Sequence, residues 1–268
     1  MFKNISIVGV GNLTKSLLYR IKSTPLKVNI NLYDLDKKKK SLASQKSWQF
    51  YTIINNSLNA SDLIIIAVKP NQYKDVCNKI AKHINKNAII VSLMAGIKVK
   101  DIKREFSNSL EIARVMTNIN AKYGKAISSV YLGQGFKRNK VISLKSFFSL
   151  FGSIKMLKTE VQIDKATALI GSGPAYFIYF AESIFKTFQS FGFSKNESKN
   201  LVTDLFYGTA LTCKEDKRDF EEIKKSIVSK GGTTESALKR LDRLQTKKII
   251  MGSIKDAYIK AKSLGKNK

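Results

Sequence analysis

Histidine and cysteine are nearly missing from this chain of 268 residues, which has one histidine, His83, and two cysteines, Cys77 and Cys213. Zinc sites combine three or four such ligands, so the composition predicts no metal site, and a Ser-His-Asp triad would depend on His83 alone. The lysine-rich stretch around His83 is typical of an exposed helix end, which favours a solvated histidine. Two distant cysteines provide no disulfide framework, as expected for a reducing compartment.

Long apolar runs are also missing. The longest ones, residues 63–68 and 176–185, fall short of the roughly 20 residues that a membrane-spanning helix needs. The apolar run near the N-terminus is too short for a signal peptide. We therefore expect no membrane partner and a cytoplasmic protein.

Acidic residues are scarce, with 20 Asp and Glu against 48 Lys and Arg, which gives a formal charge of +28. Such a charge suggests a nucleic-acid partner, and a basic nucleic-acid-binding protein is the alternative from a different class. However, 41 of the basic residues are lysines, whereas nucleic-acid readers favour arginine, and the lysines are spread along the chain. We therefore expect no nucleic-acid partner, and the 43% hydrophobic residues predict a folded protein.

The first half of the chain alternates short β-branched runs with helical patterns, which predicts an α/β fold with a doubly wound parallel sheet. The predicted strands are residues 5–8, 28–33, 63–68, 88–93 and 112–116, and the predicted helices are residues 13–21, 73–84 and 99–106. From Asp164 onward the pattern is helical throughout, with helices over residues 175–191, 195–212 and 247–263, and another after Gly232. The interpretation is a doubly wound α/β domain, residues 1–160, followed by an all-α domain, residues 161–268.

A glycine turn follows the first predicted strand. Gly9 permits a tight turn and Gly11 allows the backbone to approach a pyrophosphate, which Asn12 and Leu13 would meet at the start of a helix. The third position of this fingerprint is Thr14 instead of glycine or alanine, so an ordinary strand–helix turn is the alternative.

Asp34 lies 20 residues beyond Thr14, where an acidic residue binds the adenosine ribose and repels a 2′-phosphate. The four lysines at residues 37–40 oppose this, because they would neutralise such a phosphate. The expected cofactor is therefore NADPH or NADH, with Asp34 tipping the expectation slightly toward NADH.

Other candidate cofactor residues lie just beyond predicted strands, where ligands bind in open α/β sheets. They are Val68, Lys69 and Pro70 after one strand, Ala95 and Gly96 after the next, and Asn118 after a third. We expect Lys69, Pro70, Ala95 and Gly96 to wall the nicotinamide, although Pro70 also has the simpler role of ending its strand.

The helical half contains two glycine-rich interruptions. Residues 171–176, Gly-Ser-Gly-Pro-Ala-Tyr, indicate either a kink or a close helix crossing. In residues 229–234, glycines and hydroxyls at a helix start can bind a small carboxylate, although a plain helix connection fits the same pattern.

Taken in order, residues 67–70, 114–118, 171–176 and 229–234 resemble motifs of the pyrroline-5-carboxylate reductase family, and the resemblance spans nearly the whole chain. It implies that residues 1–160 form a Rossmann-type dinucleotide-binding domain and that the helical domain dimerises, with dimers assembling into decamers. It also implies reduction of 1-pyrroline-5-carboxylate to L-proline, the last step of proline biosynthesis, with NADPH or NADH. A reductase of another cyclic imine or of a small hydroxy acid is the alternative.

The resemblance also implies site residues. Ser229, Gly231, Gly232, Thr233 and Thr234 would bind the substrate, with Thr234 as the catalytic candidate that hydrogen-bonds the imine nitrogen. The chain departs from the family pattern at three places: Thr14, Ile119-Asn120 in place of Thr-Pro, and Lys230 in place of proline.

Overall fold

One mixed sheet of eight strands organises the described residues of the computed structural model, which are 2–43, 45, 47–106 and 110–265. The strands are β1 (Asn4–Val8), β2 (Asn29–Tyr33), β3 (Trp48–Tyr51), β4 (Leu63–Ile66), β5 (Ile89–Ser92), β6 (Glu111–Met116), β7 (Ala126–Leu132) and β8 (Gly152–Met156). They lie in the order β3-β2-β1-β4-β5-β6-β7-β8.

The first six strands pair in parallel in the order 3-2-1-4-5-6, which is the arrangement of dinucleotide-binding folds. Strand β4 shows why the pattern forms a central strand. Its four residues are all buried, with Leu63 and Ile65 in one apolar core and Ile64 and Ile66 in the other. Both faces of the sheet are therefore covered, and the carboxyl ends of β1 and β4 lie side by side where the strand order reverses.

The last two strands, β7 and β8, were not predicted from the sequence, and they extend the sheet beyond β6. Strand β7 runs antiparallel to β6, and β8 pairs in parallel with β7. The predicted parallel arrangement therefore holds for the first six strands, and this edge makes the sheet mixed. The pairing partner determines the direction of a strand, and an apolar run alone does not reveal it.

Ten α-helices are described: α1 (Asn12–Lys22), α2 (Tyr73–Ala81), α3 (Val99–Arg104), α4 (Arg138–Ser149), α5 (Val161–Ala166), α6 (Gly173–Ser190), α7 (Lys195–Glu215), α8 (Phe220–Ile227), α9 (Thr233–Arg243) and α10 (Thr246–Ser263). A π-helical turn, Thr167–Gly171, joins α5 to α6. Ser194 caps α7 through a capping box with Glu197, which confirms the predicted start of that helix. No described helix is both long enough and apolar enough to cross a membrane.

The contacts within the chain define two compact units. One comprises the described residues up to Pro174 together with those from Asp256 onward, and the other comprises residues 175–255. The first unit contains the sheet and the second contains helices α7 to α9. The predicted domain boundary after residue 160 stays a prediction.

Candidate active site

A cleft of about 460 Å³ lies at the carboxyl ends of β1, β2 and β4, and we call it the nucleotide cleft. Its lining comprises Val8, Gly9, Val10, Gly11, Tyr33, Asp34, Leu35, Asp36, Lys39, Thr52, Ile53, Ile54, Ala67, Val68, Lys69, Gln72, Asp75, Val76 and Lys79. Five of the predicted cofactor residues are in this set, and they come from three separate parts of the chain. The position matches the crevice where parallel α/β sheets bind ligands.

Gly9 is required by both conformation and space. Its φ is +96°, and a Cβ built on it would lie 2.7 Å from the carbonyl carbon and oxygen of Ala67. Thr14 is 1% exposed, and its hydroxyl donates to the Gly9 carbonyl at 2.8 Å. The threonine at the third fingerprint position is therefore accommodated by packing against the turn and bonding to it.

Gly11 leaves the start of α1 open. It is the N-cap residue, and no side chain among the described residues caps this helix. A Cβ built on Gly11 would meet no described atom within 4 Å. The first N–H groups of α1, at Asn12 and Leu13, lack intrahelical acceptors and carry the positive end of the helix dipole. This open end beside the nucleotide cleft fits a dinucleotide pyrophosphate.

Asp34 follows β2 and is already engaged. Its carboxylate accepts hydrogen bonds from the N–H of Val10 at 2.7 Å, from the N–H of Asp36 at 3.0 Å and from Nζ of Lys39 at 2.8 Å. Burial by itself would raise the pKa of Asp34, but the Lys39 hydrogen bond and the two backbone N–H groups lower it below its ordinary value. Asp34 is therefore an ionised carboxylate whose charge is balanced by one lysine of the basic run.

The mouth of the nucleotide cleft has an apolar lining that the sequence did not predict. Leu35 is 80% exposed and Ile53 is 74% exposed, and both line the cleft. Exposed apolar side chains beside a polar turn suit the flat face of an adenine ring. The sequence signal for Leu35 was its place directly after Asp34. Ile53 had no such signal, because it follows β3, a strand that was not predicted.

The segment after β4 places two more predicted residues in the nucleotide cleft. Val68 and Lys69 line it, and Pro70 begins a short 3₁₀ turn beside it. The side chain of Gln72 accepts from the Lys69 N–H at 3.3 Å, which closes this turn. Pro70 therefore has a local geometric role, and its proposed contact with the nicotinamide stays a prediction.

Ala95, Gly96 and Asn118 do not line the nucleotide cleft. The amide of Asn118 donates to the Ile170 carbonyl at 3.1 Å and accepts from the Asn120 N–H at 3.1 Å. Asn118 thus caps the 3₁₀ turn Ile119–Tyr123 and holds the π-helical turn. Its proposed contact with the cofactor stays a prediction, and its structural role was not visible in the sequence.

A buried ion-pair network joins β6 to α5. Arg114 is 1% exposed, and its guanidinium donates to Glu160 at 3.1 Å and to Asp164 at 3.0 Å. Glu160 also accepts from the Val99 N–H at 2.7 Å, at the start of α3. Together with the Asn118 bond, these contacts make residues 114–118 and 160–171 one packed seam.

Residues 229–234 form a tight turn at the start of α9, which we call the glycine-threonine turn. The Gly232 N–H donates to the Ser229 carbonyl at 3.0 Å, and Gly231 has a φ of +75°. A β-turn with a positive φ at its third residue takes glycine there and favours proline at its second residue, which is Lys230 here. The turn therefore closes without the proline of the family pattern.

Gly232 is the N-cap of α9, and no described side chain caps it. A Cβ there would lie 2.4 Å from the Ser229 hydroxyl oxygen, so a larger residue would require the Ser229 side chain to rotate. Thr233 and Thr234 are the first two residues of α9, and Glu235 accepts from the Gly231 N–H at 2.8 Å. The glycine-threonine turn thus presents open N–H groups and two hydroxyls at a helix start, a combination that suits a carboxylate.

Two family models match the chain. The model described as NADP oxidoreductase coenzyme F420-dependent matches residues 4–96, and the model described as pyrroline-5-carboxylate reductase dimerisation matches residues 160–264. The sheet order, the glycine turn and the match over residues 4–96 define the class of the protein, which is a dinucleotide-dependent oxidoreductase with a Rossmann-type domain.

Relatives cover almost the full length of the chain. Pyrroline-5-carboxylate reductase of Aquifex aeolicus is 26% identical over 260 residues, 97% of each protein. The crystal structure of 1-pyrroline-5-carboxylate reductase from Streptococcus pyogenes is 25% identical and covers 97% of this chain and 98% of that one, with a TM-score of 0.86. The structure of Plasmodium falciparum pyrroline carboxylate reductase with NADP bound, 24% identical over 98% of each chain, has the same fold with a TM-score of 0.89. Over nearly its full length, the chain is similar to pyrroline-5-carboxylate reductases.

Proposed function

We propose that this protein reduces 1-pyrroline-5-carboxylate to L-proline with NADPH or NADH. The observation that carries the proposal is that two helices begin at glycines that no described side chain caps, α1 at Gly11 and α9 at Gly232. One of them adjoins the nucleotide cleft and suits a pyrophosphate. The other carries two threonines and suits the carboxylate of a small substrate.

The residues of the chain bind and orient the two reactants. Gly9, Gly11, Asn12 and Leu13 hold the pyrophosphate, and Asp34 faces the adenosine ribose. When bound, the reduced nicotinamide supplies a hydride for the imine carbon. Most of the acceleration then comes from holding the reactants together and excluding water.

The glycine-threonine turn provides the substrate contacts. The backbone N–H groups of Thr233 and Thr234, at the start of α9, and the hydroxyl of Ser229 bind the carboxylate, and the turn through Gly231 and Gly232 orients them. Thr234 is the second residue of the same helix, and its hydroxyl orients a protonated imine nitrogen or a water. An ordinary hydroxyl is too weak an acid to supply that proton itself.

Replacing Thr234 with alanine should lower kcat about 10- to 100-fold and change cofactor affinity less than twofold, because the hydroxyl acts on substrate alone. Steady-state kinetics and cofactor titration measure the two effects. Thr234→Ser should recover most of the rate, and Thr212→Ala, which alters a threonine within α7, serves as the control. Unchanged turnover in Thr234→Ala would show that the assignment of Thr234 is wrong.

A substrate comparison separates the proposed reaction from its alternative. We expect kcat/KM for 1-pyrroline-5-carboxylate to exceed that for other cyclic imines without a carboxylate and for small hydroxy acids by at least about 100-fold. Equal or higher kcat/KM for one of those compounds would favour the alternative reductase.

Cofactor preference depends on two opposing features of the cleft. Asp34 favours NADH because its charge repels a 2′-phosphate, and we keep this preference as part of the proposal. Lys39 opposes it by pairing with Asp34 at 2.8 Å, and Lys37 and Lys40 line an adjoining cavity of about 460 Å³. Because the preference is a balance of these charges, we expect both cofactors to be used.

Lys39→Ala should raise the ratio of kcat/KM for NADH to kcat/KM for NADPH about tenfold, since it leaves the Asp34 charge unbalanced. Lys38→Ala removes the same charge from a neighbouring residue that does not line the nucleotide cleft, so it should shift the ratio much less. A ratio equally shifted by both substitutions would mean that overall charge, and not the ion pair, controls preference.

The second compact unit supports self-association. Its helices expose large apolar side chains, including Phe177, Phe180, Leu205, Phe206 and Met251, and the dimerisation family model covers them. We propose a dimer that assembles further into a decamer, acting in the cytoplasm. Sedimentation analysis of the purified chain measures the assembly.

A further inference from the structure

We propose that residues 261–265, which we call the C-terminal brace, hold the loop that follows β5 and thereby position the nicotinamide half of the site. This assignment rests on the proposed function for its catalytic consequence. The C-terminal brace is the end of α10 and the two residues beyond it. None of its residues was a candidate from sequence.

The brace and the loop meet backbone to backbone. A Cβ built on Gly265 would lie 2.0 Å from the carbonyl oxygen of Gly96, and a Cβ built on Gly96 would lie 2.6 Å from the N atom of Gly265. The same Cβ on Gly96 would lie 2.9 Å from the Ala261 carbonyl oxygen. Contacts this close permit only glycine on each side, so the two positions fit each other.

Burial and conformation fix the contact further. Ala261 is 2% exposed and Gly96 is buried with a φ of +75°. The Leu264 N–H donates to the Lys260 carbonyl at 3.1 Å, which extends the helical turn up to the contact. The brace is therefore an ordered part of the first compact unit.

The braced loop lies next to the nucleotide cleft. Strands β4 and β5 are parallel neighbours, with Ile66 opposite Ser92, and the Leu93 N–H donates to the Ile66 carbonyl at 2.9 Å. The residues just beyond Ile66, Ala67 and Val68, line the cleft. Ala95 and Gly96 thus occupy the same edge of the sheet one strand further along, where the cofactor extends away from its adenosine half.

Glycine is therefore needed at position 96 for a reason other than the predicted contact with the nicotinamide. Its lack of a side chain admits the C-terminal brace, and the brace in turn fixes where the backbone of Ala95 lies. A shift of the loop moves one wall of the nicotinamide space without touching Gly11 or Asp34. Loss of the brace should therefore affect the nicotinamide half and spare the adenosine half.

The test compares Gly265→Ala with wild type, using the full chain. We expect KM for the reduced cofactor to rise about tenfold and kcat to fall about tenfold. The affinity for ADP-ribose, which lacks the nicotinamide, should change less than twofold. Hydrogen exchange should be faster at the amides of residues 93–97. Gly252→Ala makes the same change in α10 where a Cβ meets no described atom within 4 Å, and it should behave as wild type.

A chain that ends at Leu264 provides the second variant, since it removes the contact of Gly265 with Gly96 without adding bulk, and it should show the same pattern. Equal losses of ADP-ribose and cofactor affinity, or wild-type kinetics and exchange in both variants, would overturn the proposal. Absence of turnover with 1-pyrroline-5-carboxylate in the wild type would instead count against the proposed function. Cofactor binding and exchange would still test the brace in that case.

Discussion

Gly11→Ala should weaken binding of NADPH and NADH about 100-fold, or about 2.7 kcal/mol, while the midpoint of thermal unfolding changes by only a few degrees. The Cβ of alanine has free space around it in the protein, because no described atom lies within 4 Å of its position. That space is where the backbone must approach a pyrophosphate. The backbone at Gly11, with φ −83° and ψ −172°, accepts alanine without strain. Titration of the purified variant with each cofactor measures the effect.

Gly9→Ala provides the contrast within the same turn. Its Cβ would collide with the Ala67 backbone at 2.7 Å and its φ is +96°, so this variant should lose stability as well as cofactor affinity. Replacing Gly11 should therefore affect cofactor binding, whereas replacing Gly9 should also affect the stability of the fold. Wild-type cofactor affinity in Gly11→Ala would contradict the placement of the pyrophosphate.

Arg114→Met should destabilise the folded chain by about 3–5 kcal/mol, because it leaves the carboxylates of Glu160 and Asp164 without their buried cation. Those carboxylates are 22% and 9% exposed, so water replaces the lost partner only in part. The midpoint of thermal unfolding, measured at one fixed protein concentration, should fall by roughly 6–20 °C.

Two further variants separate the buried pair from charge in general. Lys186→Ala breaks an exposed pair with Glu182 and should lower the stability far less, because water screens that pair. Adding Asp164→Leu to Arg114→Met removes one orphaned carboxylate and should restore part of the lost stability. If Arg114→Met proved as stable as Lys186→Ala, the seam between β6 and α5 would not hold the fold together.

The central part of the sheet could be predicted because its strands are buried on both faces. The run Leu63–Ile66 has an unmistakable apolar pattern. Strand β3 was missed because only Trp48 among its four residues is buried, and β7 was missed because it includes Ser128 and Ser129. Ser128 is buried through a hydrogen bond with Thr117, a partner that the local pattern does not reveal. Helix α8 was missed although Asp219 and Glu222 form a readable capping box.

The candidate site divides in the same way. Gly9, Gly11 and Asp34 follow a fixed spacing along the chain, and the structure brings them together at one cleft. The sequence does not tell which of four consecutive lysines faces Asp34, since that depends on the 3₁₀ turn Lys37–Leu42. The sequence also does not reveal that Gly96 contacts Gly265, because these residues are far apart along the chain.

The most direct test of the account is to incubate the purified chain with 1-pyrroline-5-carboxylate and either NADPH or NADH, and to quantify oxidised cofactor and L-proline together. We expect both to appear in a one-to-one ratio, and we expect Gly11→Ala to lower the rate at subsaturating cofactor about 100-fold. Oxidation of neither cofactor, or oxidation without L-proline, would contradict the account.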